Sequence, residues 1–287
     1  MNLKQTSSTS HIVACLVTVL TLTTEAFRLD RNLRKRNFLS GVGEEKPHKL
    51  FFNEEVPPER KEVSLGEKVV IECSAGGSPS PTIHWLYNGE RLQQSERNVI
   101  EDETTTFENT PKNRKMSLLK LSSTKAKLTI DCVTPEDQGT YTCVASTPYN
   151  TITADTEMYV GNDIGGDVSE RCVVKKSGNA IPIFADDYFI PGVPARVYMW
   201  TSQRLEKQGA DVQLYCRGDG HPAPTVQWID NNGNHINPGR GGKEQVLENG
   251  DLLIKNIQWL ENMGNYKCKV ENEYGSETVE TFLYPTV

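Results

Sequence analysis

The chain is built on a repeat. Cys73 is followed twelve residues later by Trp85, and Cys216 is followed twelve residues later by Trp228. Both copies close on the same cadence, Asp137-x-Gly139-x-Tyr141-x-Cys143 in the first and Asn262-x-Gly264-x-Tyr266-x-Cys268 in the second. Leu128-x-Ile130-x-x-Val133 and Leu252-x-Ile254-x-x-Ile257 precede these endings. Self-similarity on this scale means one structural module used twice. The parity inside each copy is that of half-buried strands: Val69, Ile71 and Cys73 alternate, as do Tyr141, Cys143 and Ala145. Val212, Leu214 and Cys216 repeat the pattern, and so do Tyr266, Cys268 and Val270. Residues two apart on a strand face the same way. Each copy can therefore aim one Cys inward from each of two sheets and bridge them across a core roughly 10 Å thick. The expected disulfides are Cys73–Cys143 and Cys216–Cys268, in an all-β fold of two tandem sandwiches.

Trp85 and Trp228, each covering its bridge, and Tyr141 and Tyr266, each turning the corner two residues before the second Cys, resemble the immunoglobulin superfamily. The resemblance recurs in both copies and implies I-set or C2-like domains. The second copy departs from the pattern at Asn262, where Asp is usual; the expected consequence is a weakened salt bridge at the base of the sandwich with the core intact. In the chain-entropy picture each bridge contributes on the order of 4 kcal/mol, so Cys73→Ser or Cys216→Ser is expected to threaten folding.

The N-terminus bears on the compartment. An apolar run from Ile12 to Leu22 follows a polar start and ends at Thr24-Glu25-Ala26. It is shorter than the roughly 20 residues needed to span a bilayer and has the flanks of a secretory signal peptide. Residues 1–26 are the expected signal. Cleavage would remove Cys15 of the seven Cys and leave an even six, as suits an oxidising compartment. The C-terminus, Phe282 to Val287, carries no hydrophobic tail. A secreted, extracellular protein without membrane insertion is expected. No Asn-x-Ser/Thr sequon occurs. With 31 Lys+Arg against 38 Asp+Glu, the net charge of −7 disfavours nucleic acid as a partner. The basic run Arg28, Arg31, Arg34, Lys35, Arg36 places a leader over 27–54, open to convertase cleavage or to binding of acidic polysaccharide.

The expected domains are 55–161 and 172–287, joined by a Gly- and Asp-rich linker over 162–171. The first has a long insertion from about Gln94 to Ser123. The second has an enlarged front end from Arg171 to Gln208. Cys132 and Cys172 remain after the two motif bridges. Cys132 lies at the pole where the first module exits toward the linker and Cys172 follows the linker, so a Cys132–Cys172 staple is one expectation. An intermolecular bridge and a pair of free thiols are the others.

No catalytic chemistry is legible. His48, His84, His221 and His235 form no spaced set with Cys or acids that would hold zinc, and no nucleophile elbow or phosphate loop is present. No metal or cofactor is expected, and the chain reads as a binding protein rather than an enzyme. Aromatic clusters are the usual anchors of interfaces. The enlarged front end supplies Phe184, Tyr188, Phe189, Tyr198 and Trp200 as candidate contacts. Both faces of Arg196-Val197-Tyr198-Met199-Trp200 carry large residues. If Val197 and Met199 face inward, strict alternation turns Tyr198 and Trp200 outward, and vice versa; the outward pair would meet a partner or cover an edge or seam.

The two Cys-Trp-Cys modules, the extra Cys132 and Cys172, the block from Pro182-Ile183-Phe184 to Trp200, and Gly250-Asp251-Leu252-Leu253-Ile254 together resemble the insect neural/ectodermal development factor family. The resemblance spans nearly the whole mature chain, with a more distant similarity to a vertebrate growth-factor-binding relative. It implies extracellular binding of insulin-like peptide hormones, sequestering them from their receptor and restraining growth. The alternative is an adhesion or axon-guidance protein of the same fold acting by homophilic or receptor contact. Whether the chain forms a homodimer is left open.

Overall fold

The computed structural model describes residues 49–94, 121–161, 183–185, 188–190, 192–237 and 242–286. The first module comprises β1 (Lys49–Phe52), β2 (Arg60–Ser64), β3 (Val69–Ser78), β4 (Thr82–Tyr87), β5 (Glu90–Arg91), β6 (Leu121–Ile130), β7 (Gly139–Ser146) and β8 (Thr151–Gly161). A short hairpin, β9 (Ile183–Ala185) and β10 (Tyr188–Ile190), follows. The second module opens with the long β11 (Val193–Lys207), then β12 (Val212–Leu214), β13 (Cys216–His221), β14 (Thr225–Ile229), β15 (His235–Ile236), β16 (Glu244–Val246) and β17 (Leu252–Ile254). A one-turn helix α1 (Trp259–Asn262) leads into β18 (Gly264–Asn272) and β19 (Gly275–Thr286).

Both modules are sandwiches, as the repeat implies. In the first, the sheet β2-β8-β7-β4-β5 faces β1, β3 and β6. The bridge Cys73–Cys143 joins the two sheets, with a Cα–Cα distance of 6.5 Å, and Trp85 is fully buried opposite Cys143. Cys216–Cys268 and Trp228 repeat this arrangement in the second module. The first module begins before residue 55. Leu50 and Phe52 alternate along β1 and pack on the first core, so β1 belongs to the sheet rather than to a leader.

The corner before the second Cys is tied differently in the two copies. The Tyr141 hydroxyl donates to the Asp137 carbonyl at 2.8 Å. The Asp137 carboxylate accepts from the Thr134 N–H and hydroxyl at 2.7 and 2.8 Å, capping the 3-10 turn Pro135–Asp137. Among the described residues Asp137 makes no ion pair, so Asn262 costs the second copy no salt bridge. Asn262 takes over the capping role: its side-chain oxygen accepts from the Gln258 N–H at 2.8 Å, and its amide reaches the Tyr266 hydroxyl at 3.4 Å. Cys132 is buried and disulfide-bonded, and its partner is not among the described residues. Cys172, the expected partner, lies outside them.

The unexpected element is β11. Its first half pairs antiparallel with β13 and its second half parallel with β19, as an opening strand of the second sandwich would. Along its other edge, Met199 to Leu205 pair antiparallel with Ala126 to Leu121 of β6, in the first module. One nine-stranded sheet, β1-β3-β6-β11-β19-β18-β14-β15 with β13 branching from β11, therefore runs through both modules. The seam is lined by short hydroxyl side chains whose hydrogen bonds are made locally: Ser122 to the Gln203 carbonyl at 3.4 Å, Ser202 to the Ser123 carbonyl at 3.1 Å, and Thr124 to the Pro81 carbonyl at 2.7 Å. Among the described residues two ion pairs cross it, Arg196–Asp131 at 2.7 Å and Lys127–Glu277.

Candidate functional site

Aromatic contacts were expected at the front of the second module, and β11 redistributes them. Between Val197 and Met199 its register against β13 shifts, with Val197 opposite Gly218 and Met199 opposite Arg217. The extra residue is Tyr198. A bulge of this kind breaks strict alternation, so Tyr198 does not turn out to solvent when Met199 turns in. Both pack in the first core, and Val197 packs in the second. Tyr198 is 6% exposed, which removes it as a surface anchor. Trp200 is partly buried against the second core, with the Lys127 ammonium 5.1 Å above its ring. These two residues seal the seam. Phe184, Tyr188 and Phe189 lie on the β9–β10 hairpin, with Phe184 opposite Phe189, and the placement of their side chains lies outside the described residues.

An exposed apolar surface sits on the outer face of the shared sheet, built by register. Leu205 on β11 stands opposite Leu121 on β6 and beside Tyr284 on β19, so the three form one row across the seam. The next row runs through six strands: Phe51, Gly76, Ser123, Gln203, Phe282 and Asn265. At about 4.8 Å per strand that row is about 24 Å long. Leu121, Phe282 and Tyr284 are 40%, 39% and 36% exposed. Tyr284 is held upright by the edge of Trp259, with ring centroids 4.9 Å apart, and Phe282 lies 6.4 Å from Tyr284. At the far end the Phe51 ring lies over Gly76, where a Cβ would come within 2.6 Å of it. Glycine at 76 lets the aromatic ring rest on the sheet.

This arrangement offers adhesion without chemistry. Backbone amides and carbonyls are engaged in the ladder, the side chains are apolar or uncharged, and among the described residues no group of His, Cys, Asp and Glu could hold a metal. No helix of the described residues is long and apolar enough to cross a membrane. Phe282 and Tyr284 carried a signal in the sequence: they share the parity opposite to Val279, Thr281 and Leu283, all of which are buried. What the pattern lacked was the neighbour, because only the β6–β11 pairing sets Leu121 beside them.

The immunoglobulin-domain profile matches residues 53–147 and the immunoglobulin I-set profile residues 201–284. Zwei Ig domain protein zig-4 of Caenorhabditis elegans is 29% identical over 230 residues, which cover 80% of this chain and 78% of the nematode protein. The neural/ectodermal development factor IMP-L2 of Drosophila melanogaster is 31% identical over 251 residues, covering 85% of this chain and 82% of the fly protein. The crystal structure of neural ectodermal development factor IMP-L2 matches with a TM-score of 0.58 and 28% identity over 84% of this chain and 96% of that one. A pair of immunoglobulin domains of this kind is a non-enzymatic binding protein. With the Cys-Trp-Cys modules, their bridges and the shared sheet in place, the chain belongs to the neural/ectodermal development factor IMP-L2 family.

Proposed function

We propose that the protein is a secreted binder of insulin-like peptide hormones that holds them away from their receptor, and that the outer face around Phe282 and Tyr284 is where the hormone docks. Family membership supports the class of partner. The observation that carries the site is the apolar row Leu121–Leu205–Tyr284 with Phe282 beside it, on a sheet shared by both modules, with Leu121, Phe282 and Tyr284 exposed. Large aromatic residues on a rigid sheet lose little conformational freedom on binding and supply most of the energy of small interfaces. A compact peptide hormone with an apolar face matches that geometry, and disulfide-bonded modules suit an extracellular setting.

Surface binding of the purified mature chain to a purified insulin-like peptide tests the proposal. The wild type should bind, and Phe282→Ala combined with Tyr284→Ala should weaken binding at least tenfold, about 1.4 kcal/mol, with an unchanged thermal midpoint. No binding at micromolar peptide would remove the hormone. Binding that the double variant leaves intact would move the site to another face, the β9–β10 hairpin being the next to probe.

A further inference from the structure

We infer that the edge of β6, with the flank of the first core beside it, is a strand-binding site whose ligand is the chain's own β11. By sequence and by its pairing with β13 and β19, β11 belongs to the second module. By packing it also belongs to the first. Tyr198, Met199 and Tyr215 are members of the first core rather than the second. The Ile83 N–H donates to the Met199 sulfur at 3.4 Å, and the Tyr215 N–H to the Thr201 hydroxyl at 2.9 Å. Main-chain pairing from Met199 to Leu205 supplies attachment, and the Tyr198–Met199 pair at the bulge supplies the apolar plug, the two ingredients of strand addition to a sheet edge.

The charged end of the ligand is prepared for burial. Arg204 and Glu206 are both fully buried, on one face of β11, and their side chains pair at 2.9 Å. Glu206 also accepts from the Lys207 N–H at 2.9 Å, and the Arg204 guanidinium donates to the Ser80 hydroxyl in the turn between β3 and β4. A lone guanidinium in such a place would carry a large desolvation cost. Because the strand brings its own carboxylate two residues away, the guanidinium enters with its charge already paired, and the acceptor's Ser80 hydroxyl adds a further hydrogen bond. The first module is thus completed by a strand that arrives some thirty residues after its last one, Gly161 to Val193. Its stability should be tied to β11 as if to a bound ligand.

Amide hydrogen exchange on the intact chain through a urea series tests this. The expected result is that β3 and β7 in the first core lose protection at the same urea concentration as the β6–β11 ladder. The inference is overturned if the β6–β11 amides open at lower urea while β3 and β7 stay protected. In a second arm, Met199→Lys should speed exchange in β3 and β7 at least thirtyfold more than in β14 and β18 of the second module. Acceleration confined to β11 and β13 would also overturn it, and should that variant fail to fold, the wild-type series decides alone. Neither readout depends on hormone binding, so this inference and the proposed function can fail separately.

Discussion

The two modules share a blueprint and solve the same burial problem with different means. In the second, the core indole of Trp228 donates to the Gly250 carbonyl at 2.9 Å. In the first, the equivalent Trp85 nitrogen is buried and has no hydrogen-bond partner among the described residues. The second module also carries a polar hub. Asp251 is fully buried, pairs with Arg217 through two hydrogen bonds of 3.0 and 2.9 Å, and accepts from the Cys216 N–H and the Gln213 amide at 3.0 and 2.7 Å. Burial pulls the Arg217 pKa down, but the charge and hydrogen bonds of Asp251 outweigh it and hold the guanidinium above its ordinary value. Among the described residues the first core has no such hub on its own strands; its apolar packing takes in Tyr198, Met199 and Tyr215 from the neighbouring module, and the buried Arg204–Glu206 pair beside Ser80 also arrives on β11. A repeated motif therefore specifies the bridge and its tryptophan, while each copy finds its own way to complete the interior.

The largest break in this comparison should come from Asp251→Ala. It takes the paired carboxylate away from a buried Arg217, and losing one member of a buried pair costs about 3–5 kcal/mol. Urea unfolding at pH 7 should show that loss. Replacing both partners by apolar residues, Asp251→Leu with Arg217→Met, should recover much of it, because no unpaired charge remains. A single-variant cost below about 1 kcal/mol would mean that the hub does not support the second core.

The tryptophans sharpen the comparison at a smaller scale. Gly250 approaches the core closely: its φ is +93°, and a Cβ there would lie 2.7 Å from the Cys216 carbonyl oxygen. That approach delivers the acceptor to Trp228. Both Trp→Phe changes shrink the core by a similar volume, but only Trp228→Phe leaves a buried carbonyl without its donor. It should cost about 1–2 kcal/mol more than Trp85→Phe, as seen in paired denaturant curves. Equal costs would show that the difference in hydrogen bonding carries no weight.

The sandwiches were legible because the constraint is local in parity: two inward Cys on known alternations, a Trp at a fixed spacing and a Tyr two residues before the second Cys. The seam was not legible. Which strand lies beside β6 is a non-local fact, and nothing in Leu121 to Ile130 names a partner some eighty residues away. The bulge at Tyr198 defeated the alternation argument for the same reason, because parity holds only along an unbroken ladder. Of the two readings that sequence left for Tyr198 and Trp200, a partner surface or the cover of an edge or seam, the structure has the seam, whereas Phe282 and Tyr284, which sequence singled out only as part of a C-terminus without a hydrophobic tail, are exposed aromatics on the shared sheet.

The smallest effect concerns acid, and it belongs to the first module. His84 on β4 is half-buried near Arg91, and burial followed by that positive charge lowers its pKa from 6.5 to about 4. In the unfolded chain the imidazole takes up its proton near the ordinary value. Between those two values the unfolded state binds more protons than the folded one, so stability rises with pH across that window. The contribution is fully present above about pH 6.5 and is lost as pH falls toward 4. His84→Gln keeps a polar side chain and removes the titration. The wild type should therefore lose more stability than the variant between pH 7.5 and pH 5, measured as the shift in urea midpoint, with the two curves converging toward a constant offset above pH 7. The exchange experiment locates the loss, since β3 and β7 should register it before β14 and β18. Parallel pH profiles for variant and wild type would mean that the histidine is as open to water in the folded protein as in the unfolded chain.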